Sequence, residues 1–286
     1  MRAFASAAAL GVLALVAGGC GGGAHVSSQA GAPAADYLAA VSKAADVTQQ
    51  VSGYRFAMTS TTSVGSHSLA LHGSGSIDDR GSQGSLSVEV QGKQLQELID
   101  RPFVYIQVPQ AAASGSDGKQ WLRANINVFS QAFGNGSSPL ESSSDDPTQT
   151  LSFLRGAGAV SRVGTESVRG VPTTHYHATI ELDRYAANVA AGQRAGAKRY
   201  AATLKRVTGS DKLPLDVWID GQSRVRRISL ALHLCSAQGN IGESISMDLY
   251  DYGHQPVISI PPASQVKDIS GQLKGTVQQG LQQLHC

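Results

Sequence analysis

The chain has 286 residues, of which 41% are hydrophobic, 6% aromatic and 15% charged, with a formal net charge of +2. That length and apolar content suffice for a core in one large domain or two small ones, and they exclude disorder throughout. With 23 Lys+Arg against 21 Asp+Glu and no basic run, the chain lacks the electrostatic footprint of a nucleic-acid binder.

Met1 and Arg2 precede an apolar stretch, Ala3 to Gly19, that contains Leu10, Val12, Leu13, Leu15 and Val16 and no acid. It is too short to span a bilayer comfortably and reads as a secretory signal. It runs into Leu15-Val16-Ala17-Gly18-Gly19-Cys20, which resembles the lipobox of bacterial lipoproteins, with Ala17 where that family prefers Leu or another branched residue. The resemblance implies removal of residues 1–19, acylation of Cys20 and a lipid anchor on the extracytoplasmic face of the cell membrane. An ordinary signal peptide with an incidental Cys20 is the alternative. Residues 20–35 are rich in Gly, Ser, Ala and Pro without periodicity and read as a flexible tether with a span of roughly 20 Å for about 15 residues. No later segment approaches the ~20 apolar residues of a spanning helix, so the acyl chains would be the membrane attachment.

Cys235 and Cys286 remain, an even number in a chain bound for an oxidising compartment, and we expect them to form a disulfide. A metal site is the alternative, because His233 lies two residues before Cys235 and His285 adjoins Cys286. Neither pair has CxxC or HxxxH spacing, so no metal is expected.

Residues 36–286 read as a single domain. From Asp36 to Val51 the positions Leu38, Val41, Ala45 and Val51 recur at helical spacing, with Asp36 at the start and Gly53 at the end. The period then changes to two. Tyr54, Phe56 and Met58 share one face, Leu69, Leu71 and Ile77 the next, and Leu86, Val88 and Val90 a third, with Gly/Ser turns at Val64-Gly65-Ser66 and Arg80-Gly81-Ser82. Phe103 to Val108 is a further strand, and the polar loop Ala111 to Lys119 leads to Trp121. Gly134 to Asp146 is an irregular Ser/Pro/Asp-rich stretch, and a short helix after Pro147 carries Leu151 and Leu154. Strands resume over Val160 to Val168 and Thr173 to Leu182, joined by a Gly170-Val171-Pro172 turn, with Tyr176, Ala178, Ile180 and Leu182 facing one way. A helix of about 20 residues is expected after Asp183, with Tyr200, Leu204 and Val207 on one face. Leu215, Val217 and Ile219 alternate with Asp216, Trp218 and Asp220, Asp220-Gly221 signals a hairpin, and Ile228, Leu230, Leu232 and Leu234 form the next apolar face. Ile245, Met247 and Leu249 continue the meander. Val266, Ile269, Leu273, Val277, Leu281 and Leu284 then step by three or four, which predicts an amphipathic C-terminal helix.

One-sided strands need a cover, and the amphipathic helices are the candidates. The expected fold is α+β, a curved antiparallel half-barrel sheet with helices over its concave face. Periodicity leaves open whether the helices fill that face or enclose an apolar cavity.

The stretches Val163-Gly164-Thr165-Glu166-Ser167-Val168-Arg169-Gly170-Val171-Pro172-Thr173-Thr174-His175-Tyr176 and Leu213-Pro214-Leu215-Asp216-Val217-Trp218-Ile219-Asp220, following a lipobox, tether, helix and meander, resemble the LppX/LprG-type lipoproteins of the LolA-like superfamily. The likeness covers roughly residues 36–261, so the C-terminal helix with Cys286 extends past it. It implies a half-barrel around a cavity that holds acyl chains, in envelope proteins that bind or carry lipids and lipoglycans. Phe56, Met58, Val104, Ile106, Ile180, Val217, Leu230 and Met247 would line such a cavity, or form ordinary core if there is none.

Enzyme signatures are missing: there is no GxSxG elbow, Walker A loop, HExxH, or GxGxxG opening a helix after a strand, so neither an enzyme nor a cofactor is expected. Asp145-Asp146 in a Ser-rich loop reads as solvated or helix-capping, His175 and His177 as a solvent-facing pair on one strand, and Gly73 and Gly75 as turns or strand distortions. Trp218, Arg224, Arg226 and Arg227 read either as contacts to an anionic headgroup or as a solvated strand end whose arginines pair with Asp216 and Asp220. Two functions stand: a monomeric envelope lipoprotein that carries lipid or lipoglycan acyl chains, with an envelope transporter as a partner, and a surface lipoprotein with a filled core that acts as an interaction or sensory module.

Overall fold

A computed structural model describes residues 34–286 apart from 79–81, 91, 110–115, 126, 128–150, 152, 155, 190, 237–238 and 285. Cys20, the signal segment, Asp145 and Asp146 lie outside the described residues.

Helix α1 (Ala34–Gln49) is alanine-rich, with Asp36 in its first turn. Val41, Ala44, Ala45 and Thr48 recur at i, i+3, i+4 and i+7 and are all fully buried. The Thr48 hydroxyl accepts the Val225 N–H at 2.9 Å, which fixes the helix end against a distant hairpin.

Among the described residues, twelve strands form one open, curved sheet in the order β12-β6-β5-β4-β3-β2-β1-β11-β10-β9-β8-β7. One meander comprises β1 (Tyr54–Val64), β2 (His67–Asp78), β3 (Gln83–Val90), β4 (Lys93–Asp100), β5 (Phe103–Gln107) and β6 (Trp121–Asn125). The second comprises β7 (Ala157–Val168), β8 (Val171–Glu181), β9 (Lys212–Asp220), β10 (Val225–Leu234) and β11 (Ile241–Tyr250). Their seam is the antiparallel pairing of β1 with β11, which sets Phe56 across from Leu249 and Met58 across from Met247. The sheet is antiparallel apart from β12 (Val266–Asp268), which runs parallel to β6. The fold is therefore α+β, as the one-sided strands and helices require.

Four departures from the sequence expectation have local causes. Strand β4 was not expected: Leu95, Leu98 and Ile99 fall at helical spacing, and the strand exists because both edges are paired, to β3 and β5. The β7–β8 turn is Arg169-Gly170, both at positive φ (50° and 82°) as a tight hairpin requires, so Val171 and Pro172 belong to β8. The long helix after Asp183 is broken into α2 (Leu182–Asn188), a 3₁₀ turn (Ala191–Gln193) and α3 (Arg194–Thr208). Val189 is extended and buried, and the bend lets Tyr185 and Ala186 of α2, and Tyr200, Ala201 and Leu204 of α3, pack into one core. The C-terminal helix α4 begins at Ser270 rather than Val266 (Ser270–Gln283). Val266 pairs with Trp121 and packs into an outer cluster with Leu98 and Tyr105, while Asp268 Oδ1 accepts the Ser270 N–H and starts the helix.

The expected irregular stretch Gly134 to Asp146 and most of the Ala111 to Lys119 loop lie outside the described residues. Leu151 and Leu154 are fully buried in the main core, and Leu273 and Val277 of α4 bury against Ala124. Cys235 and Cys286 form a disulfide with a Cα–Cα distance of 4.9 Å. The Cys235 and Cys286 N–H groups donate to the Val207 and Arg206 carbonyls, so the chain terminus is held against the end of α3. Neither thiol is left as a metal ligand.

Candidate functional site

The strand registers place all eight expected lining residues on one surface of the sheet, the surface that α1, α2 and α3 cover. They divide by burial. Phe56, Val104, Ile180 and Val217 are 7% exposed or less and are core. Met58, Leu230 and Met247 are only partly buried although they pack against that core. Ile106, at 37% exposure, is the outlier, because its end of β5 is paired to β6 but uncovered.

Met58, Met247 and Leu230 are the centre of a larger strip. Across the seam, Met58 faces Met247, Ser60 faces Ile245 and Thr62 faces Glu243. Next to these, Ile245 pairs with Leu230 and Glu243 with Leu232. On the other flank Gly73 separates Met58 from Val88, and Val88 pairs with Leu95. Val88, Leu95, Met58, Met247, Ile245, Leu230 and Leu232 are all intermediate in exposure. Met58 and Met247 are the only methionines besides Met1, and flexible thioether side chains adapt to irregular apolar partners. Gly73 serves this strip as a space for its neighbours rather than as a turn: a Cβ there would stand 3.0 Å from Met58 Cγ and 3.2 Å from Leu86 Cδ1.

One residue that the sequence reading passed over lies in the strip. Glu243 is 2% exposed, and among the described residues neither carboxylate oxygen has a hydrogen-bond partner. Burial pushes its carboxyl up to about 7. The sequence carries only a partial signal: Ile241, Glu243, Ile245, Met247 and Leu249 share one phase of β11, with Glu243 the charged residue in that series, and it stands out once the series is known to be buried.

The outer surface of the same strands is polar and carries a network of paired side chains, although among the described residues the buried Trp218 Nε1 has no hydrogen-bond partner. His175 and His177 do share a face, but they are tied into a network rather than simply solvent-facing. Asp216 Oδ1 lies 2.8 Å from His175 Nε2 and 3.1 Å from His177 Nδ1, His175 Nδ1 lies 3.2 Å from Glu166, and the His175 ring stacks on Trp218 at 4.0 Å. Arg227 makes two bonds to Asp248, at 2.6 and 3.0 Å, rather than pairing with Asp216. Asp220 Oδ1 accepts the Gln222 and Arg224 N–H groups, and its Oδ2 accepts Nε–H from Arg226 at 2.7 Å and Arg224 at 3.3 Å. Burial works to raise the Asp220 carboxyl, and these bonds more than offset it, holding it below the usual carboxylate range. The arginines around Trp218 are thus engaged within the hairpin, and Arg224 and Arg226 also lie over the Tyr252 ring.

No family model matches the chain. A 176-residue stretch is 28% identical to an uncharacterised 31.2 kDa protein from the rplA-rplJ intergenic region of Streptomyces griseus, covering 59% of this chain. The match spans 55% of that relative's length. Similar solved structures include the lipoprotein LppX of Mycobacterium tuberculosis, with a TM-score of 0.48 and 17% identity over 78% of this chain and 98% of that one. They also include LprF of Mycobacterium bovis, with a TM-score of 0.44 and 13% identity over 81% of this chain and 99% of that one.

Proposed function

We propose that this chain is an envelope lipoprotein that holds acyl chains against the methionine-bearing strip and carries them across the envelope. The observation that carries this reading is the half-covered row Val88, Met58, Met247 and Leu230, which lies beside the sealed core on the same face of the sheet. From β3 to β10 the row crosses five strands, about 19 Å at ~4.8 Å per strand, the length scale of an extended acyl chain. Each methylene that leaves water for this wall contributes about 0.8 kcal/mol. Acylation of Cys20 and the 20–35 tether belong to the same proposal: they would keep the domain near the membrane from which it loads. Among the described residues no helix is long and apolar enough to cross a membrane.

Native mass spectrometry of the lipoprotein purified from its own membranes tests the reading. The expected result is a lipid-sized adduct that Met58→Trp or Met247→Trp removes while the far-UV circular dichroism is unchanged. A clean apo mass, with no uptake of offered lipids, overturns it in favour of a filled interaction module. Ile180 is not a useful probe, because at 1% exposure a Trp there tests folding.

A further inference from the structure

We infer that Glu243 is a polar anchor inside the strip, and that the ligand it selects is an amphiphile bearing a hydroxyl group within or close to its acyl portion. The inference rests on the lipid-binding reading of the same surface and adds the chemistry of the ligand.

Three facts support it. Glu243 is 98% buried on the helix-covered surface by register, with Thr62 directly across the seam and Leu232 directly across β10. Both of its oxygens lack a hydrogen-bond partner among the described residues, whereas buried polar groups in folded proteins are nearly always bonded. The polar residues on this part of the wall are adjacent: Ser60 and Thr62 are successive inward positions on β1, and the rest of the patch is Met58, Ile245, Leu230 and Leu232.

Burial in such a wall favours the neutral acid and pushes the Glu243 carboxyl up to about 7. A neutral acid donates one O–H and accepts through its other oxygen. An alcohol, which also donates and accepts once, satisfies both atoms without bringing charge into the apolar wall. A cationic amine would demand the carboxylate, with one ion pair to offset the burial of two charges. An unsubstituted acyl chain would leave both oxygens unpaired.

The test is a binding titration of the delipidated full-length lipoprotein by native mass spectrometry with matched probes. Methyl 3-hydroxypalmitate against methyl palmitate reports a hydroxyl on the chain. Monopalmitoylglycerol against its dimethyl ether reports a hydroxyl on the head. Wild type should prefer one hydroxylated probe over its partner by roughly 5- to 100-fold. Glu243→Leu should abolish that preference while still binding the hydroxyl-free probe, and Glu243→Gln, which keeps a donor and an acceptor, should retain most of it. The pair that shows the preference tells which source the hydroxyl has. Equal binding of both members of both pairs by wild type, or a preference that survives Glu243→Leu, overturns the inference and leaves the lipid reading intact. Failure of every probe to bind overturns the lipid reading itself.

Discussion

The inward residues Tyr54, Ile77 and Ile99 and the inward residues Met58, Val88 and Leu95 lie on the same face of the β1–β4 part of the sheet, about 13 Å apart along β1. The first three are 1 to 2% exposed and the second three are only half-buried. Glycine placement explains part of the difference. In the sealed region Gly75 and Gly84 lie across the ladder from Phe56 and Ile99, and a Cβ on Gly75 would meet the Ser85 carbonyl at 2.0 Å and the Phe56 ring at 2.8 Å. Removing side chains there lets the aromatic ring lie close to the backbone. In the open region Gly73 makes room instead for Met58, which stays only partly buried. Alternation thus sets which way a side chain points, and the bodies that arrive above it decide whether it is sealed.

Paired truncations on β11 should separate the two regions most strongly. Leu249→Ala, at a fully buried position, should cost about 2–5 kcal/mol in urea unfolding, whereas Met247→Ala, two residues away and half-covered, should cost about 1 kcal/mol. Equal losses would mean that the strip is as tightly packed as the rest.

Glu243 gives the next largest effect, and its sign is definite. Its carboxyl rises from 4.5 unfolded to about 7 folded, so between these values the native state binds more protons than the unfolded chain. Stability should therefore be highest below about pH 4.5 and fall by on the order of 3 kcal/mol by pH 7, on top of the contributions of other groups. Glu243→Gln should flatten that part of the profile, as read from urea midpoints at a series of pH values.

Glycine substitutions sharpen the contrast. Gly75→Ala forces a Cβ against backbone and should cost about 1–3 kcal/mol, while Gly73→Ala meets only side-chain atoms, Met58 Cγ at 3.0 Å and Leu86 Cδ1 at 3.2 Å, and should cost about 1 kcal/mol. The smallest change belongs to the outer surface. Arg227→Gln breaks the bonds to Asp248, yet a partly solvated pair is worth only about 0.2–1 kcal/mol, and lipid uptake should be unaffected.

Much of the fold was legible because each strand obeys its own local period. The inward phases Tyr54-Phe56-Met58, Ile228-Leu230-Leu232-Leu234 and Ile245-Met247-Leu249 all appear as expected. So does the Cys235–Cys286 bond, which the even cysteine number and the expected oxidising compartment predict. Strand β4 escaped because its apolar residues suit a helix as well as a strand, and pairing on both edges decides between them. The break at Val189 escaped because the pattern on either side of it is helical, and the bend exists for packing onto the sheet. At the site, the lining residues were legible as a phase, but Glu243 was hidden among exposed acids. A glutamate in an apolar series is conspicuous only once the series is known to be buried.

What the sequence by itself determined is the orientation of each side chain along its own strand or helix, because backbone geometry imposes periods of two and 3.6 on any chain. What only the tertiary structure decided is which strands meet. The β1–β11 seam joins segments nearly two hundred residues apart, and no local pattern encodes that register. The seam sets Met58 against Met247 and Thr62 against Glu243, and the helices packed over its two sides leave those residues half-covered or buried without a partner. Burial is a property of neighbours brought from elsewhere in the chain, so the strip and its lone carboxyl exist only in the folded molecule.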